Sequence, residues 1–154
     1  MFPALMELGV PIQIFICTGF ARDGAPLALP ELRGDDPAEL ATMTWDELRG
    51  HADRGIAIGS HTVSHAHLTR LSEAELWGEL KDSKDELESE LGRRCSELAY
   101  PYGEHDVRVR NVARKAGYGL AYALRGAKGD PYSSPRVDLY RRHTPLRTFL
   151  RVLF

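Results

Sequence analysis

The chain has 154 residues, with 20 Lys and Arg set against 22 Asp and Glu. Charge this balanced gives no bulk attraction for nucleic acid or for an anionic membrane surface. The length suits one domain with a sizeable core, spanning residues 1–154. No stretch approaches the roughly 18 apolar residues that cross a bilayer. The first residues lack a basic n-region, and Glu7, Gly9 and Pro11 interrupt them, so no signal peptide is read there. Cys17 and Cys95 form no Cys-x-x-Cys pair and read as two buried thiols.

In chain order, Met1 to Leu8 has a helical apolar face that Gly9 stops. Val10 to Cys17 is a near-continuous apolar run, the pattern of a parallel strand buried on both faces, ending in Thr18-Gly19-Phe20. Ala21 to Leu40 is too rich in Gly and Pro for a long element. Asp35-Asp36 inside it reads as a solvated turn, because no apolar strand precedes the pair. A capping box at Thr44-Trp45-Asp46-Glu47 opens a helix that runs to Arg54 and stops at Gly55. Ile56 to Gly59 is a second strand.

Another capping box at Ser72 to Glu75 starts a helix that halts at Gly92. Its Glu, Lys and Asp residues are expected on a solvated outer face. Leu98-Ala99-Tyr100 is a short strand closed by Pro101-Tyr102-Gly103. Asp106 to Ala116 is an amphipathic helix ended by Gly117, and Tyr118 to Leu124 a fourth strand. A fifth strand is expected at Arg136 to Tyr140, and an opening helix from Thr144 to Phe154. Helices alternating with buried strands imply an α/β fold on a parallel sheet, open or closed into a barrel. Loops that follow the strands then share one rim, which brings Thr18, His61, His65, Pro101 and Tyr102 to one cavity.

The chemistry concentrates in Ile56 to Leu68, IAIGSHTVSHAHL. Two imidazoles four residues apart, at the mouth of a strand, make half of a metal site. A zinc protease needs Glu after the first His, and here that residue is Thr62. His67 extends the cluster but reads as a solvated loop histidine.

Trp45-Asp46-Glu47-Leu48, then IGSHTVSHAHLTRLS, then LAYPYG, in this order, resemble polysaccharide deacetylases of the NodB-homology type, carbohydrate esterase family four. The resemblance implies a distorted (β/α) barrel holding one divalent metal, usually Zn²⁺. His61 and His65 match its two histidine ligands, and Thr62 the hydroxyl residue that braces the loop. Pro101 and Tyr102 match a wall of the substrate groove, where the Tyr102 backbone N–H helps hold the oxyanion. The chemistry is coherent: an acetamide carbonyl is a poor electrophile that a metal can polarise, and an aimed N–H stabilises the developing charge.

The chain also departs from the family. An Asp-Asp pair that supplies the base and the third metal ligand follows the family's first strand, and no match to it occurs here. Asp23 and Asp35-Asp36 lie beyond the second family strand. Ala99 stands where the family carries Arg, a substitution that a branch with Ala-Tyr-Pro-Tyr-Gly shares. The late motif bearing the acid His is not visible, and His143 reads as part of an exposed turn.

The expected fold is therefore a partial distorted (β/α) barrel lacking its first strand. The expected function is metal-dependent removal of acetyl groups from an N-acetylglucosamine polymer or another acetylated glycan, without activity for these residues alone. The alternatives are a catalytically dead module keeping the carbohydrate groove, and a metal-free α/β protein with incidental histidines. The strand from Ile12 to Cys17 is expected to expose an edge through which the chain associates with itself.

Overall fold

Helix and strand alternate along the chain in the computed structural model, which describes residues 2–22, 24–27, 40–127 and 129–137. In order they are α1 (Phe2–Glu7), β1 (Gln13–Ile16), α2 (Thr18–Ala21), α3 (Trp45–Asp53), β2 (Ala57–Ser60), α4 (Glu73–Leu91), β3 (Glu97–Ala99), α5 (Val107–Ala116), β4 (Leu120–Ala123) and β5 (Ser134–Pro135). The five strands lie side by side in sequence order, and every neighbouring pair is parallel.

Local chemistry sets the helix ends. Thr44 accepts the Glu47 N–H while the Glu47 carboxylate accepts the Thr44 N–H, and Ser72 and Glu75 repeat the arrangement. Such a cap contributes about 1 kcal/mol. Gly92 and Gly117 stop α4 and α5 at φ of 61° and 94°, a left-handed turn that glycine takes without strain. Leu76, Leu80 and Leu87 of α4 pack with Val109, Val112 and Ala113 of α5 against Leu98, Ala121 and Ala123 of the sheet.

The opposite face of the sheet is curled. Phe15 on β1 and Tyr122 on β4 meet edge to face with ring centroids 5.5 Å apart, although β2 and β3 lie between their strands. A flat sheet would hold those strands roughly 14 Å apart. Gly59 makes the approach possible, since a Cβ there would sit 2.5 Å from Phe15 Cε1. The result is an α/β trough, the partial barrel expected, with the site residues at its carboxyl rim.

Several expectations need correction. β1 is shorter than the apolar run and half-buried throughout rather than enclosed on both faces, while Val10 and Pro11 before it are exposed. It is an end strand among the described residues, and its inner face opens into the trough. Thr18 to Ala21 forms a turn of helix, not a strand end and loop, and it buries Thr18 and Ala21. Tyr118 lies outside β4, buried, its hydroxyl donating to Leu80 O at 2.8 Å. The fifth strand described is Ser134–Pro135, paired with Tyr122 and Ala123, and Arg136 and Val137 lie outside it, while residues 138–140 of the expected strand lie outside the described residues.

The charged face of α4 is not uniformly solvated. Lys84 is buried, its ammonium donating to Glu88 and to Cys95 O at 2.5 Å. Cys95 is buried as expected, whereas Cys17 is half-buried. Asp23, Asp35, Asp36, His143 and the expected helix from Thr144 to Phe154 lie outside the described residues.

Candidate active site

β2 ends at Ser60, and the next five residues carry the histidine pair on a tightly held loop. Thr62 and His65 have φ of 73° and 61°, and Tyr102 in the loop after β3 has φ of 56°. Three side-chain-bearing residues in the left-handed region cost about 1–3 kcal/mol each and persist only where surrounding bonds over-determine them. Those bonds are present. Ser60 Oγ accepts the Thr62 N–H at 3.2 Å and shares a 2.7 Å hydrogen bond with Ser83 of α4. Thr62 Oγ1 accepts the His65 N–H at 3.2 Å. Thr18 and Gly19 of α2 donate their N–H groups to Thr62 O and Val63 O. Glu79 of α4 accepts from Val63 N and Ser64 N at 3.0 Å each, and from Ser64 Oγ.

The loop brings the rings of His61 and His65 together edge to face, with centroids 4.8 Å apart. His61 Nδ1 lies 2.6 Å from Ala99 O, so this nitrogen is the protonated donor and Nε2 keeps its lone pair. Burial pulls the His61 imidazole down to about 4, with the charges of His65 and Arg136 adding to that effect and the Ala99 bond opposing it. His61 is therefore neutral near pH 7 and able to donate a lone pair. Both rings border a largely apolar cavity of about 290 Å³ with Phe15, Cys17, Leu27 and Met43. Burial, reinforced by the charge of Glu79, pushes the Cys17 thiol up to about 12 and keeps it protonated.

Tyr102 continues the line. Its ring meets His65 edge to face at 4.6 Å and stacks on His67 at 4.0 Å with planes 7° apart. His67 Nδ1 is 3.1 Å from a Glu104 carboxylate oxygen, so His67 is a packed partner of the loop rather than a solvated one. Beyond Tyr102 opens a groove of about 620 Å³ bordered by Thr69, Glu104, His105, Leu124 and Arg125. Gly103 lets the chain turn beneath it, at φ of 67°, where a Cβ would fall 2.6 Å from Leu124 N.

His61, His65 and Tyr102 are thus contiguous, but the five residues expected at one cavity do not share it: the histidines border one cavity, Tyr102 the groove beyond, and Thr18 is buried. Thr62 is fully buried and serves the loop, not a ligand, and Pro101 is fully buried rather than forming a wall of the groove. Sequence reading missed Glu79, Glu104 and the packing of His67. Their partners lie 15 to 37 residues away, and periodicity carries no signal for such pairs.

A divalent metal fits His61 in tautomer and protonation and the pair in proximity, and the bond from His61 Nδ1 to a carbonyl is the outer contact that metal-binding histidines make. Ligand number falls short. Among the described residues no group of three His, Cys, Asp or Glu could hold a metal ion, and zinc sites use at least three protein ligands.

The sequence profile of the polysaccharide deacetylase family matches residues 1–121, and the chain belongs to that family. YxkH of Bacillus subtilis, classed as a polysaccharide deacetylase, is 29% identical over 78 residues, 51% of this chain and 28% of YxkH. The fold is that of the deacetylase PplD from Streptococcus pyogenes, with a TM-score of 0.77 at 21% identity over 97% of this chain and 62% of that one. BC0361, a polysaccharide deacetylase from Bacillus cereus, matches with a TM-score of 0.74 at 22% identity, covering 98% of this chain and 46% of its own. The chain therefore spans about a quarter to three-fifths of the length of these relatives.

Proposed function

We propose that His61 and His65 hold a divalent cation, Zn²⁺ first, in a site that removes acetyl groups from a polysaccharide, and that residues 1–154 alone do so very slowly. The observation that carries this reading is the His61 Nδ1 contact to Ala99 O, beside a second imidazole 4.8 Å away. A bound metal would polarise the acetyl carbonyl and make water acidic enough to attack near neutral pH. The backbone N–H of Tyr102 would stabilise the tetrahedral oxygen, an effect of about 3 kcal/mol. The groove beyond Tyr102 would receive the sugar. Among the described residues no carboxylate joins the histidine pair to serve as third ligand and base. Loss of a general base typically costs about 10²–10⁴-fold.

Calorimetric titration of metal-free protein with Zn²⁺ tests the ligands. Weak binding lost in His61→Ala is expected, and tight binding that survives the substitution refutes the assignment. Acetate release from chitooligosaccharides and acetylated xylan, with Zn²⁺ or Co²⁺ added, tests turnover. Robust release abolished by His65→Ala would mean that another residue supplies the base, with Asp23 the first to mutate.

The absence of a third ligand among the described residues also supports a second reading, a non-catalytic module that keeps the carbohydrate groove. One solved relative of this fold is described as a carbohydrate esterase family four pseudoenzyme, with a TM-score of 0.60 at 15% identity over 77% of this chain and 36% of that one. Oligosaccharide binding without acetate release, in the presence of metal, distinguishes this reading.

A further inference from the structure

Most acids of α4 serve the helix or its basic neighbours. Glu75 closes the capping box, Asp85 pairs with Lys81, Glu86 with Arg22, Glu88 with Lys84 and Glu90 with Arg49. Glu79 turns instead to the loop after β2. Its Oε2 accepts the N–H groups of Val63 and Ser64, each at 3.0 Å, and its Oε1 accepts the Ser64 hydroxyl at 2.5 Å. A carboxylate is acceptor-only and suits three converging donors, and its charge strengthens each bond.

Those donors sit at a particular place. Val63 and Ser64 are the two residues between Thr62 and His65, and it is Thr62 and His65 that lie in the left-handed region. On the other side of the same loop, α2 donates to Thr62 O and Val63 O. The strained stretch is therefore held by Ser60 of β2 and by its own Thr62 hydroxyl, by backbone donors from α2, and by one side chain from α4. With the Glu79 grip removed, the bonds from Ser60, Thr62 Oγ1 and α2 remain, but the two residues between Thr62 and His65 lose their three shared contacts, which loosens the left-handed conformation at His65.

We propose that Glu79 is the positioning residue of the histidine pair: its three hydrogen bonds to Val63 and Ser64 hold His65 in the backbone conformation that sets its ring beside His61. The consequence for metal affinity rests on the functional reading above; the consequence for the loop does not.

The experiment compares Glu79→Ala, Glu79→Gln and the control Glu75→Ala, which weakens the N-cap of the same helix away from the loop. In metal-free protein, NMR follows hydrogen exchange at the Val63 and Ser64 amides and the imidazole signals of His61 and His65. In metal-loaded protein, visible absorption of Co²⁺ reports affinity and ligand geometry. Glu79→Ala is expected to speed exchange at both amides by about tenfold or more, to shift the His65 signals, and to weaken Co²⁺ binding by about 10–100-fold. Glu79→Gln keeps one oxygen for the two N–H groups, so it should restore most of the wild-type signals and affinity. Glu75→Ala should lower the melting temperature and leave the histidine signals unchanged.

Folded Glu79→Ala protein with wild-type imidazole signals and wild-type Co²⁺ affinity would overturn the proposal, as would equal changes in Glu75→Ala. If the wild-type chain binds no Co²⁺ at all, the functional reading fails. The amide and imidazole measurements on metal-free protein would still decide the role of Glu79.

Discussion

Gly59→Ala tests the curl that brings β1 and β4 together. A Cβ on Gly59 would lie 2.5 Å and 2.7 Å from two Phe15 ring carbons and 3.0 Å from Gln13 Nε2. Comfortable carbon contacts begin at about 3.5 Å. Phe15 is the register partner of Gly59, so the two backbones cannot separate without breaking the β1–β2 ladder. The ring must swing away instead, and it then leaves the edge of Tyr122. Overpacking costs about 1–3 kcal/mol and the lost aromatic pair about 0.5–1.5 kcal/mol. Removing a glycine from a strand returns roughly 0.5–1 kcal/mol.

The net expectation is a loss of about 2 kcal/mol, or about 4–8 °C in Tm at this chain length. Urea unfolding of the metal-free protein measures it. In a Phe15→Ala background the clash has no partner, and the same substitution should be close to neutral. An equal cost in both backgrounds, or a loss within about 0.5 kcal/mol in the wild type, refutes the steric account of the curl.

The neutral state of His61 predicts a pH dependence. Its imidazole sits at about 4 in the fold against 6.5 for the free group, so the unfolded chain takes the proton first as pH falls. Stability from this group is complete above about pH 6.5 and lost toward about pH 4, on the order of 2–3 kcal/mol. Urea curves of metal-free wild type and His61→Asn should converge over that range, and parallel curves refute the assignment. Lys84→Met should destabilise by about 1–3 kcal/mol, because it leaves Cys95 O and Glu88 without the ammonium; a thermal melt within about 0.5 kcal/mol of wild type would mean a solvated lysine. Light scattering of residues 1–154 should rise with concentration as chains associate through β1, whose outer edge is unpaired among the described residues. A cooperatively melting monomer at high concentration refutes that expectation.

Helix caps were legible from sequence because their chemistry is local: Thr44 with Glu47, Ser72 with Glu75, and the glycines at 92 and 117 all act within one turn. The histidine pair was legible for the same reason, since strand, loop and both imidazoles occupy ten residues of chain. The curl was not. It depends on Phe15 reaching Tyr122 over more than a hundred residues of chain, through a gap that Gly59 leaves. Glu79 and Lys84 look alike in the helical pattern, as polar residues on an amphipathic helix. Their roles come from what α4 lies against, the histidine loop for one and the chain leading into β3 for the other. Arg136 is a further case, following β5 yet bearing electrostatically on His61.

The ring of Tyr102 touches His65 on one side and His67 on the other, and its own loop borders the groove. The cation and the sugar would therefore share a wall. A change in the position of the His65 ring would be felt by Tyr102, and a ligand in the groove would press on that same residue. Such a coupling would be reciprocal by thermodynamic necessity: the factor by which a metal changed oligosaccharide affinity would equal the factor by which oligosaccharide changed metal affinity. Any effect of a glycan on the cation would thus be readable from either side, as metal affinity with the groove filled or as glycan affinity with the histidine pair loaded.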